Sequence, residues 1–208
     1  MSYKTNKYQV IRGVISEELA DVCLRYLAIS HNADAYLINK NITNENNVLI
    51  GNFKDAQVPN SYAKYADRLT ESLLIQTIPL MEKETGLKLI PTYSYCRLYK
   101  KGNVLNRHKD RPSCEISTTL NLGGDEWSIY LSSSSKDNIS NSPKEIKIDL
   151  KKGDMLIYKG CELEHWREVF EGNVCGQVFL HYNQADGEFD KSNLYDKRPM
   201  LGVPKLNV

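Results

Sequence analysis

Tyr99-Lys-Lys-Gly102-Asn-Val-Leu-Asn-Arg-His108-Lys-Asp110 is the stretch on which the fold turns. Its last three residues set a histidine and a carboxylate two positions apart. On an extended chain, side chains two apart leave the same face, so this pair can grip one ion. Downstream, Lys151-Lys-Gly-Asp-Met-Leu-Ile-Tyr-Lys-Gly-Cys-Glu-Leu-Glu-His165 reads as a turn, a buried strand, a second turn, and a histidine opening the next strand. His108, Asp110 and His165 together make the two-histidine, one-carboxylate set that leaves coordination positions open for oxygen chemistry on non-heme iron(II). A histidine two residues before an aspartate is common by chance, and a lone histidine is more often a hydrogen-bonded core or surface group. The combination carries the weight, because the chain has only 4 histidines.

Outward from this stretch the chain alternates in short runs: Thr92 to Tyr99, Cys114 to Leu122, Trp127 to Leu131, Ile146 to Leu150, Met155 to Tyr158 and Val174 to Tyr182. Gly, Pro, Asn and Asp punctuate them, which predicts a β-sandwich or jelly-roll barrel. Ser132 to Pro143 is a polar, low-complexity loop between two of these strands. Before residue 90 the pattern is helical. Ser16 is a candidate N-cap ahead of Glu17 and Glu18, with Leu19, Val22, Cys23, Tyr26 and Leu27 on one face. A second helix is predicted from Tyr62 to Thr85, with Tyr62, Tyr65, Leu69, Leu73 and Leu80 inward, a kink at Pro79 and Gly86 ending it. The Asn-rich segment from Asn39 to Asn52 reads as loop.

A chain of 208 residues holds one domain with a real core. The expected division is helical support over residues 1–90, a β core over 91–183 and a surface-wrapping tail over 184–208. Lys plus Arg (27) against Asp plus Glu (26) leaves a net charge of +1, so no global field draws the protein onto nucleic acid or an anionic membrane. The 5 cysteines include no CxxC pair and fit reduced thiols in a cytoplasmic protein. No apolar signal core or membrane-length run occurs.

The Tyr99 to Asp110 segment resembles the YxxGxxxxxHxD element of prolyl 4-hydroxylase-like 2-oxoglutarate oxygenases. Gly153-Asp-Met-Leu-Ile-Tyr158, leading to His165, resembles that family's glycine-turn strand before its distal histidine. The resemblance spans roughly residues 90 to 183. It implies a mainly β fold, a double-stranded β-helix of the jelly-roll or cupin-like kind, packed by N-terminal helices. It also implies Fe(II) on His108, Asp110 and His165, with 2-oxoglutarate and O2 as co-substrates and ascorbate as an additional candidate. The implied reaction is hydroxylation with release of succinate and carbon dioxide, on a prolyl or other residue of a peptide or protein.

A dicarboxylate in an apolar barrel needs a cation or several hydroxyl donors for its far end, since an unpaired buried charge is costly. The resembled hydroxylases commonly supply Lys or Arg nine or ten residues past the distal histidine, where this chain has Val174 and Cys175. Two arginines are candidate replacements. Arg97 shares a strand face with Tyr99, and AlkB-like oxygenases use the matching two positions to touch 2-oxoglutarate. Arg167 lies two residues past His165, on the ligand's side of a regular strand, although Glu164 and Glu168 are available to pair it at the surface. Thr119 is a further hydroxyl candidate.

Arg107 and Arg111 flank the metal pair and read as barrel-mouth or solvated loop charges. Trp127 and Trp166 suit either a groove or the core. His181 reads as a hydrogen-bonded barrel residue and His31 as a helix-end residue. Two alternatives stand beside the hydroxylase reading. One is an AlkB-like demethylase of nucleic acid, disfavoured by the near-neutral charge. The other is a non-catalytic cupin-like metal-binding module, against which the complete triad argues.

Overall fold

The computed structural model describes residues 3–133, 144–189 and 191–205. Two antiparallel sheets face each other. One has six strands in the order β1 (Tyr8–Ile11), β8 (Met155–Lys159), β5 (Ile116–Gly124), β10 (Val174–Gln184), β3 (Leu89–Lys100) and β2 (Tyr62–Tyr65). The other has four, β4 (Leu105–His108), β9 (Glu164–Arg167), β6 (Ile129–Ser133) and β7 (Lys144–Ile148). From β3 onward the strands alternate between the two sheets, apart from the β6–β7 hairpin. This is the jelly-roll topology expected from the alternating runs.

The N-terminal part is less purely helical than expected. Helix α1 (Tyr3–Asn6) is a single turn, and α2 (Glu17–Asn39) starts at the predicted cap, where the Ser16 hydroxyl accepts from the Leu19 N–H at 3.2 Å. His31 lies inside α2 rather than at its end. The segment predicted as one helix over Tyr62–Thr85 is instead β2 followed by two helices, α3 (Arg68–Gln76) and α4 (Ile78–Thr85). Tyr62 to Tyr65 pairs in register with Leu98 to Tyr95, because the free edge of β3 offers backbone partners to this aromatic stretch. Ala66 then turns through a positive φ of 56°, and the Asp67 carboxylate caps α3 at the Leu69 N–H, 3.0 Å away. Pro79 falls in the first turn of α4, where its missing N–H costs nothing, so it opens a helix rather than kinking one.

The pleat sorts β3 and β10 into two faces. On the outer face, Cys96, Val178, Leu180 and Tyr182 join Ala20, Cys23, Leu27, Leu74 and Met81 from the helices in the largest apolar cluster. The inner faces of the two sheets meet in two smaller clusters. Tyr99, Leu105, Phe170 and Phe179 form one, and Ile129, Leu131, Leu156 and Tyr158 the other. Helical burial therefore leaves the barrel interior and its mouth for other uses.

The described C-terminal residues carry buried anchors. Asp196 accepts two bonds from Arg111, both at 2.7 Å, and one from the Tyr65 hydroxyl at 2.6 Å. Arg198 pairs with Glu71 at 2.5 Å in a buried ion pair. The expected polar loop from Ser132 to Pro143 lies outside the described residues, except for Ser132 and Ser133, which end β6. No helix among the described residues is long and apolar enough to cross a membrane.

Candidate metal centre

Antiparallel pairing of β4 with β9 sets His108 directly opposite His165. Their ring centroids are 4.2 Å apart. Asp110 follows β4 and is pinned from two sides. Its N–H donates to the Gly160 carbonyl at 2.9 Å, and its Oδ2 accepts from the Ser117 hydroxyl at 2.6 Å. Gly160 is required by this approach, since a Cβ there would sit 2.3 Å from Asp110 Oδ2. The remaining carboxylate oxygen, Oδ1, faces both imidazoles, 3.7 Å from His108 Nε2 and 3.4 Å from His165 Nε2.

The hydrogen bonds at the far sides of the rings fix the chemistry of the near sides. His108 Nδ1 donates to the Asn106 carbonyl at 2.7 Å, and His165 Nδ1 donates to the Leu163 carbonyl at 3.1 Å. Neutral imidazoles held in this tautomer present bare Nε2 lone pairs, which is how ligating histidines are oriented. Burial and the neighbouring His165 depress the His108 pKa, which keeps its lone pair available. Burial would raise the Asp110 carboxyl, but its contacts with His165, His181 and Ser117 hold it well below the usual carboxylate range. One atom from each of the three residues lies within 4.8 Å of the others. Two imidazole nitrogens and a carboxylate oxygen fit a divalent first-row transition metal.

His181 is a hydrogen-bonded barrel residue, as expected, with Nδ1 3.1 Å from the Ser117 hydroxyl. Burial pushes its pKa down to about 4. Asp110, Cys114 and His181 form a second group of ligand-type residues, but Asp110 is shared and the Cys114 thiol meets the Tyr93 hydroxyl at 3.0 Å. Burial pushes that thiol upward, away from the thiolate a metal needs.

Around the triad lies a cavity of about 400 Å³, lined by Tyr93, Tyr95, Tyr158, Phe179 and the candidate pair Arg97 and Tyr99, among others. The two candidate arginines differ sharply. Arg97 is already paired, its Nη2 donating to Asp55 Oδ2 at 2.5 Å and to Gln57 Oε1 at 3.2 Å, while Nη1 reaches the Tyr99 hydroxyl at 3.4 Å. Arg167 is not at the surface with Glu164 or Glu168. It is 1% exposed, and no carboxylate among the described residues lies within ion-pairing distance of it. It donates to the Trp127 carbonyl and reaches the Thr119 hydroxyl at 3.4 Å, and its Nε has no partner. Neither Arg167 nor Thr119 is among the residues that line the cavity; Leu105, the register partner of Arg167 on β4, is. At the positions where the resembled hydroxylases carry a cation, Val174 is exposed and Cys175 is buried, accepting from the Gln177 amide at 3.2 Å.

The flanking groups are mostly engaged in packing and ion pairs. Arg107 stacks 3.7 Å over Trp166, and Arg111 is clamped by Asp196. Trp127 packs against Tyr99 and Phe170 beside the cavity. Sequence reasoning missed Ser117, Gly160, Tyr158, Asp55 and Gln57. Only the turn before His165 hinted at Gly160; the others are assembled by long-range pairing that leaves no local pattern.

No protein-family model and no curated protein matches the sequence. Solved structures do resemble the fold. A Pseudomonas putida prolyl-4-hydroxylase superposes with a TM-score of 0.55 at 13% identity, over 88% of this chain and 95% of that one. HygX from Streptomyces hygroscopicus, solved with nickel, 2-oxoglutarate and hygromycin B, gives 0.64 at 12% identity over 88% and 85%. The non-heme α-ketoglutarate-dependent carbocyclase SnoK from nogalamycin biosynthesis gives 0.64 at 12% identity over 99% and 91%. At such identities the likeness is one of fold: the chain has the jelly-roll architecture of the iron and 2-oxoglutarate-dependent oxygenases, prolyl 4-hydroxylases among them.

Proposed function

We propose that the protein is an iron(II) and 2-oxoglutarate-dependent oxygenase with His108, Asp110 and His165 as its metal ligands. The observation that carries this reading is the convergence of two imidazole Nε2 atoms and one carboxylate oxygen at the barrel mouth of this fold. Bound there, Fe(II) with 2-oxoglutarate and O2 supplies the oxidising power to hydroxylate a substrate C–H bond, leaving succinate and carbon dioxide. The chain's own residues do the orienting. Ser117 holds Asp110 so that one oxygen faces the cation, and the backbone carbonyls of Asn106 and Leu163 hold the imidazoles.

For the far carboxylate of 2-oxoglutarate we place Arg167 first, with Thr119 and Tyr99 beside it. A fully buried guanidinium with no counter-ion among the described residues is the group that gains most from an incoming carboxylate. Arg97 has its carboxylate in Asp55 already.

A peptidyl side chain, prolyl or other, is the first substrate reading, by resemblance to the prolyl 4-hydroxylases. A free small molecule is the second, favoured by the higher TM-scores to HygX and SnoK than to the prolyl-4-hydroxylase. A nucleic-acid substrate is disfavoured, because Arg97 and Arg111 at the mouth are neutralised by Asp55 and Asp196 rather than free for phosphates. The test is succinate formation with Fe(II) and 2-oxoglutarate while proline-bearing peptides, aminoglycoside-type small molecules and methylated oligonucleotides are screened. Substrate-stimulated succinate release by one class selects it. No 2-oxoglutarate turnover with or without substrate, from metal-loaded protein, contradicts the oxygenase reading.

A further inference from the structure

The loop between α2 and β2 sends one side chain over the triad. Gln57 Nε2 lies 3.0 Å from His108 Nε2, the lone pair that a cation would take. Its orientation is set by what holds the other end of the amide. Arg97 Nη2 donates to Gln57 Oε1 at 3.2 Å, and a guanidinium has only donors to offer. Turning the amide over would set N–H against N–H, so the oxygen faces Arg97 and the NH2 faces the metal position.

The rest of the loop is built to keep it there. Asp55 Oδ1 accepts from the backbone N–H groups of Gln57 and Val58 at 2.8 and 3.4 Å, while its Oδ2 is held by Arg97 and the Tyr95 hydroxyl. Val58 is fully buried against the Tyr99 and Leu105 cluster, and the Pro59 carbonyl accepts from the Asn103 amide at 2.9 Å. Arg97, read from the sequence as a co-substrate anchor, thus aims an amide.

An amide NH2 has no lone pair to give a metal, so it cannot act as a fourth ligand. Once a cation occupies His108 Nε2, the donor must find another acceptor. The acceptors in reach are atoms of whatever fills the open coordination positions beside His108. We propose that Gln57 is a positioning residue of this centre, one that favours an oxygen ligand, carboxylate or keto, with an outward-facing lone pair beside His108. The proposal rests on the metal reading above. It adds a selectivity for oxyanions that the three ligands alone do not impose.

The test uses Ni(II) as an oxygen-stable cation and oxalate as a small oxyanion that can chelate the open positions without reaching the far-carboxylate anchor. Gln57 is solvent-exposed on its loop, so Gln57→Leu and Gln57→Glu are expected to fold with unchanged far-UV circular dichroism. Calorimetric titration should show Ni(II) binding to Gln57→Leu at least as tightly as to wild type, because a competitor for the lone pair is gone. Oxalate binding to the nickel-loaded variant should weaken about tenfold, as expected for one charge-assisted hydrogen bond. Gln57→Glu, which replaces the donor with an acceptor, should weaken oxalate further. Oxalate binding unchanged in Gln57→Leu overturns the proposal.

Parallel titration of 2-oxoglutarate separates this from the co-substrate assignment. Oxalate binding that depends on Gln57, with no 2-oxoglutarate binding to wild type, leaves Gln57 in place and removes the co-substrate. Binding of 2-oxoglutarate that Arg167→Leu weakens and Gln57→Leu does not, with oxalate also unaffected, does the reverse. Failure of wild type to bind Ni(II) overturns both.

Discussion

Each imidazole of the triad depends on a carbonyl two residues upstream, Asn106 for His108 and Leu163 for His165, so the candidate metal site is written partly in backbone. The candidate triad was legible in the sequence, because a two-residue spacing on a strand and a histidine after a glycine turn are local patterns. The candidate anchors were only half legible. Alternation placed Arg97 with Tyr99 and Arg167 with His165 on inward faces, but nothing local showed that Asp55, 42 residues away, neutralises the first. Loss of a ligand removes both a bond and the facial geometry, so His108→Ala, Asp110→Ala and His165→Ala should each abolish metal-dependent turnover, with metal content measured alongside. Wild-type metal content in any of the three would contradict the assignment. Arg167→Leu should weaken 2-oxoglutarate about tenfold to a hundredfold, at roughly 1.5–3 kcal/mol for a charge-assisted bond, while sparing the metal. If Arg97→Leu has the larger effect on 2-oxoglutarate, the two arginines are to be exchanged in this account.

Among the elements, β2 and the C-terminal segment were the least legible. Both owe their conformation to distant partners, β2 to the edge of β3 and the segment around Asp196 to Arg111 and Tyr65. Periodicity over Tyr62 to Leu80 fitted a helix because apolar spacing cannot report an unpaired strand edge elsewhere in the chain. The Asp196 clamp ties the C-terminal segment to the residue next to Asp110. Burial raises this carboxyl, but bonds from Arg111, Tyr65 and Ser113 more than offset it and hold the pKa below the ordinary value. A depressed carboxyl contributes stability above its unfolded pKa of about 4 and loses it as pH falls through the folded value. Asp196→Asn should therefore cost about 2 kcal/mol at neutral pH, and less at progressively lower pH below about 4. Thermal denaturation of both proteins from pH 7 to pH 2 checks this; a gap that stays constant across the range would show that the charge contributes nothing.

At the scale of the whole molecule, the alternating runs after Pro91 and the glycine turns were enough to indicate a jelly roll. What they could not indicate was which sheet edges β1 and β2 would cover. A ligand that binds only the folded chain stabilises it by mass action, so a divalent metal at a hundred times its Kd should add about 2.7 kcal/mol. For a chain of this size that is a rise in Tm of about 5–10 °C, reversed by a chelator and absent in Asp110→Ala. The central claim is that the triad holds iron with positions left open for 2-oxoglutarate, and anaerobic titration tests it most directly. Fe(II) and then 2-oxoglutarate are added under argon while visible absorption is followed. Wild type is expected to develop a new charge-transfer band that saturates at one 2-oxoglutarate per iron and does not form in Asp110→Ala. A 2-oxoglutarate affinity that is the same with and without iron, and no band, would contradict the claim.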